Sequence, residues 1–207
     1  MKAILLLSIL TAFASSFGAD DQLEGNQERR SLDKFDRTII DAHEQGFPAS
    51  CIPSSVEMVL KLMGRVPGSY RDLQRAWQNK SDGSFRDFNG KTFEGVTFRH
   101  QFALARNGDF PMAQLFETIH NELHAGRFVI IGLASPGGWH NWVIYGEDAD
   151  GEFLAISKDG KRTIEERQVK KAIIRMQGTD IGTYEYPCSP IRLPSAPPQF
   201  RPRGFHL

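Results

Sequence analysis

The chain has 207 residues, of which 40% are apolar, and its 25 basic side chains equal its 25 acidic ones. That length supports one domain with a real core, and that apolar content excludes a disordered chain. The balanced charge, with no basic stripe, leaves no electrostatic footprint for a nucleic-acid partner.

The first residues have the layout of a secretory signal peptide. Lys2 supplies a positive start, Ala3 to Phe13 an apolar run, and Ala14, Ser16 and Gly18 small residues for cleavage. A cut is expected after Ala14, Gly18 or Ala19. The apolar run is too short for a permanent membrane span. A secreted or periplasmic location follows as the expectation, with no stable membrane insertion after cleavage. Residues 1–19 are thus assigned to the leader and 20–36 to a charged, flexible lead-in. Residues 37–186 form the expected domain, and 187–207 a tail punctuated by Pro187, Pro190, Pro194, Pro197, Pro198 and Pro202. That many prolines exclude a regular helix or central strand from the tail.

Within the domain, Lys34 to His43 reads as a short helix or an extended arm. Val56, Val59, Leu60 and Met63 recur at helical spacing, which predicts a helix over Pro53 to Met63 ended by Gly64. A short helix over Tyr70 to Trp77 and a surface loop over Asn79 to Gly95 follow. Another helix is predicted over Pro111 to His124, ended by Gly126. Three strands then read as a meander: Arg127 to Leu133, Trp139 to Tyr145 and Glu152 to Ser157. A last helix is predicted over Thr163 to Met176. Helices first and an antiparallel meander second predict an α+β domain with the helices on one side of the sheet.

Two segments carry candidate chemistry. Cys51 stands at the start of the first long helix, where unpaired N–H groups and the helix dipole favour a thiolate. That is the setting a nucleophilic cysteine needs. Gln45, six residues earlier, has an amide that can donate to an oxyanion alongside the Cys51 N–H. His140 follows the turn Gly137-Gly138 and opens a strand, where it can act as base and then as acid. Asn141, next along the strand, points to the opposite face and is not taken as the group that orients His140. Trp139 and Trp142 are candidates for cleft or core.

These motifs resemble a papain-like cysteine peptidase, and within that superfamily the bacterial C39-like branch. The resemblance rests on Gln45, on Cys51-Ile52-Pro53-Ser54 opening a helix that ends at Met63-Gly64, and on His140 leading a Val-rich strand to Gly146. It spans Gln45 to Asp159. It implies a papain-like α+β fold with helices packed against an antiparallel sheet. It also implies hydrolysis of a peptide or isopeptide bond in a peptide or protein substrate, through a Cys51 thioester and without a cofactor. The family's third catalytic group is an Asp in an Asp-Pro pair, absent here; Ser157 falls at its position, and Asp159, two residues on, is taken for the role. Ile52 also replaces the family's glycine.

Three competing readings stand beside this one. The fold can persist without the chemistry, as an extracellular binding module. Cys51 and Cys188, the only two cysteines, can pair in an oxidising compartment. His120 and His124, one helical turn apart, can grip zinc, although the Glu of His-Asn-Glu-Leu-His is out of place for the zinc-hydrolase motif.

Overall fold

The computed structural model describes residues 35–77 and 84–187. The predicted leader, most of the lead-in, the tail with Cys188 and the start of the 79–95 loop lie outside the described residues. No helix among the described residues is long and apolar enough to cross a membrane.

The architecture is α+β, built on one seven-stranded sheet whose paired strands are all antiparallel. Helices α1 (Arg37–Ala42), α2 (Cys51–Leu62) and α3 (Asp72–Trp77) come first. A 3-10 turn over Phe85–Phe88 leads to β1 (Thr92–Phe93) and β2 (Val96–Gln101). Then follow α4 (Met112–His124), β3 (Val129–Ser135), β4 (Gly138–Glu147), β5 (Phe153–Asp159), β6 (Arg162–Glu166), α5 (Val169–Arg175) and β7 (Ile181–Glu185). The spatial order is β1-β2-β7-β3-β4-β5-β6, so the last strand inserts between β2 and β3.

Helices cover both faces of this sheet, not the one face expected. The reason is visible in the central strands, which are apolar on both sides. Ile130, Val143, Leu154 and Ile156 pack with Ile52, Val56, Val59 and Leu60 of α2. Their neighbours Ile131, Trp142, Ile144 and Ala155 pack with Leu115 and Ile119 of α4 and Val169 and Ile173 of α5. A strand buried on both faces reads as a continuous apolar run, and its partners must lie on both sides.

The helix expected over Thr163 to Met176 is two elements. Gly160, at φ +57°, turns the chain back, and Arg162 to Glu166 pairs with β5 before α5 begins. The predicted 79–95 loop holds the 3-10 turn, closed by a capping box in which Ser84 and Asp87 satisfy each other's backbone N–H. Helix α2 starts at Cys51, and it is buried almost all round. Its polar side chains Ser54, Glu57 and Lys61 are covered as fully as its apolar ones. Buried polar groups need partners, and the chain that satisfies them fixes the loop in front of Cys51.

Candidate functional site

That loop is held from α3. The side chain of Gln74 accepts from Gly46 N at 2.8 Å and donates to Glu44 O at 3.0 Å, while Ser50 Oγ donates to Phe47 O at 2.6 Å. Gln74 is itself anchored by the Glu57 carboxylate, which accepts from its backbone N at 3.0 Å and its Nε2 at 2.6 Å. Trp77 Nε1 donates to Ala49 O at 3.1 Å. Ala49 sits at φ +57°, a left-handed conformation that a non-glycine residue adopts at a cost, and this bend delivers Cys51 to the first turn of α2. Cys51 is half-buried, and its thiol makes no disulfide among the described residues.

The hydrogen bond that reaches this sulfur comes from Asn141, whose Nδ2 lies 3.2 Å from Sγ. None comes from His140. Successive residues of a strand point to opposite faces. Val143 and Tyr145 join the α2 layer, whereas Trp142 and Ile144 join the other. Asn141 falls with the first set. His140 falls with the second, edge-on to Trp142 at 5.7 Å between ring centroids.

The hydrogen bonds of His140 define its protonation. Its Nε2 is 2.5 Å from Ser157 Oγ, and that hydroxyl donates its one proton to Asn141 O at 3.1 Å. Ser157 Oγ therefore accepts from His140, so Nε2 carries the hydrogen and Nδ1 is left as the basic nitrogen. Burial lowers the His140 pKa, with the nearby Asp159 carboxylate opposing, and the ring is neutral at pH 7. A neutral imidazole in a fixed tautomer is what a general base requires.

Gln45, His140 and Asp159 line one cavity of about 370 Å³, with Trp139, Trp142 and Arg162. Gln45 Nε2 donates to Phe47 O at 3.3 Å, and its Oε1 is buried without a partner among the described residues. Asp159 is exposed and faces Arg162 at 3.6 Å; the hydrogen bond expected from it to His140 is made by Ser157 instead. The structure thus brings three of the expected site residues into one cavity. The fourth, Cys51, is held by the neighbour of His140.

His120 Nδ1 pairs with Glu147 Oε2 at 2.9 Å, and among the described residues no three His, Cys, Asp or Glu side chains converge on a metal position. Asn141, Asp180 and His100 form a row of polar groups on the α2 face, and none of them is among the catalytic residues expected from the sequence. His100 Nε2 and Asp180 Oδ2 lie 2.8 Å apart. The signal for Asn141 was present in the alternation of β4. No local signal marked the other two, because β2 and β7 were not predicted.

No protein-family model, curated protein or solved structure matches this chain.

Proposed function

We propose that this chain is an exported, thiol-dependent amide hydrolase with a papain-like arrangement, acting on a peptide or isopeptide bond. The observation that carries the reading is the state of His140. Its Nε2–H is spent on Ser157, which leaves Nδ1 as the basic nitrogen, and the residue lines a cavity that Gln45 also lines. In this reading Cys51 gives its proton to His140, which requires the imidazole to leave its present face of β4 for the Asn141 side, and the thiolate attacks the carbonyl carbon. Gln45 Nε2 and the Cys51 N–H bind the oxyanion, which requires Gln45 to release Phe47 O. His140 then protonates the leaving amine, and water cleaves the thioester. Ser157 orients the base, and Asp159 contributes through its charge.

A second reading is favoured by one contact. An amide cannot take up a proton at neutral pH, and the group on the Cys51 sulfur is the Asn141 amide. A binding module that keeps the fold without the chemistry has this pairing.

Thiol labelling separates the two. Iodoacetamide is titrated across pH on the non-reduced protein, with the label located by mass spectrometry. The hydrolase reading expects fast labelling of Cys51 below the pH where ordinary thiols react, slowed at least about tenfold by His140→Ala. Labelling that ignores His140→Ala and changes only with Asn141→Ala gives the binding module. Labelling that appears only after reduction gives a Cys51–Cys188 bridge.

A further inference from the structure

On the α2 face of the sheet, beyond Asn141, lies a second cavity of about 280 Å³. Ile52, Phe85 and Trp139 form apolar walls, and Gly132 is part of its lining. A Cβ built on Gly132 would lie 3.6 Å from Asp180 Oδ1 and 3.7 Å from Asn141 Oδ1. Two acceptor oxygens, one from β4 and one from the residue just before β7, therefore converge over a position kept clear of side chain. Asp180 is held in place, because His100, itself almost fully covered, takes its other oxygen at 2.8 Å.

A cation already sits at the mouth. The Arg106 guanidinium lies 3.9 Å from the centroid of the Trp139 ring, and its Nη2 is 3.8 Å from Asp180 Oδ1. Trp139 is 54% exposed although it carries this stack. The ion pair is long and each partner remains partly exposed. An exposed pair and an exposed cation–π contact are both weak, so Arg106 is a displaceable occupant.

We propose that this cavity is a cation subsite that takes a lysine or arginine side chain of a bound peptide, and that Arg106 occupies it in cis until the peptide arrives. Asp180 and Asn141 accept the hydrogen bonds of the incoming cation, and Trp139 supplies the π face. Asn141 also donates to the Cys51 sulfur. The subsite therefore borders the thiol and selects peptides with a basic residue close to the bond presented to it. The last point rests on the hydrolase reading, whereas the binding site itself does not.

The test uses Cys51→Ala protein, so that a failure of the thiol chemistry leaves it unaffected. N-acetyl-arginine amide is titrated by calorimetry, with N-acetyl-citrulline amide as the neutral isostere and N-acetyl-glutamate amide as the anion. The arginine compound is expected to bind, and the other two at least about tenfold more weakly. Arg106→Ala removes the competitor and tightens binding about tenfold. Asp180→Asn abolishes it. Gly132→Ala adds a methyl at ordinary contact distance, which fills part of the cavity without disturbing the fold, and weakens binding with an unchanged circular dichroism spectrum. Weaker binding in Arg106→Ala, preference for the glutamate compound, or no binding in any variant overturns the proposal.

Discussion

The strongest pH dependence in this protein is expected from His43, which is fully buried between α1 and α2. Its Nδ1 is 2.9 Å from Lys61 Nζ, and its Nε2 is 2.9 Å from Ser54 Oγ. A charged Lys61 can only donate, so Nδ1 must be bare and the ring neutral. Protonation would set an N–H against an ammonium inside the core. Burial first, and the Lys61 charge second, lower the His43 pKa from 6.5 to about 3. Between those values the unfolded chain binds a proton that the folded chain refuses. Stability therefore falls as pH falls from 6.5 towards 3, by about 1.4 kcal/mol per unit and about 5 kcal/mol in all. That is comparable with the whole stability of a small domain. The perturbation is His43→Gln, which keeps an acceptor for Lys61 and removes the titration. Urea unfolding followed by circular dichroism at pH 7, 6, 5 and 4 gives the slope for each protein, and the difference cancels the titrating groups that do not interact with His43. The variant is expected to lose less stability per unit of acidification, by about 1.4 kcal/mol. Equal slopes, or an imidazole of His43 seen by NMR to titrate near 6.5 in the folded protein, would refute the reasoning.

Three further outcomes are expected. Gly182→Ala would set a Cβ 2.2 Å from the Phe85 ring, so the aromatic must leave its seat on β7; a loss of roughly 1–3 kcal/mol in urea unfolding is expected. Tyr184→Phe strands the buried N–H of Phe128, which donates to the tyrosine oxygen at 2.9 Å, and should cost about 1–3 kcal/mol by the same assay. Ser157→Ala frees His140 Nε2 from its fixed tautomer; iodoacetamide labelling of Cys51 should slow several-fold or more while the thermal midpoint moves by only a few degrees.

The parts of the fold legible in the sequence were those with a strong period or a strong stop. Helix α2 showed its apolar face at Val56, Val59, Leu60 and Met63, and the meander β3-β4-β5 showed its apolar runs between glycine turns. Strands β2 and β7 did not show. Val96 to Gln101 alternates, but Arg99, His100 and Gln101 break the apolar signal because this end of β2 carries polar partners. The strand β7 includes Gly182, which lowers strand propensity and is required by the Phe85 ring lying on it. Thr163 to Met176 read as one helix because Ile164, Val169, Ile173 and Ile174 lie near helical spacing. The tight turn at Gly160 and pairing with β5 override that pattern over Arg162–Glu166. The buried network of His43, Lys61, Glu57 and Gln74 was also illegible. Each is an ordinary surface residue by type, and only the placement of α1 and α3 over α2 covers them.

At the site, residue types were readable and their mutual placement was not. Gln45, His140 and Asp159 share a cavity. The decisive variable is one residue of phase in β4. If the strand were shifted by one residue, His140 would meet the helix that carries Cys51, and Asn141 would meet Ser157. Opposed to this shift are the large side chains further along. Val143 and Tyr145 are locked under α2, and Trp142 and Ile144 under α4 and α5, all with little or no exposure. The phase is thus set by the core, several residues from the chemistry. That makes the His140→Ala and Asn141→Ala pair the sharpest comparison available. The two side chains leave the same strand in opposite directions, and only one of them can govern the thiol.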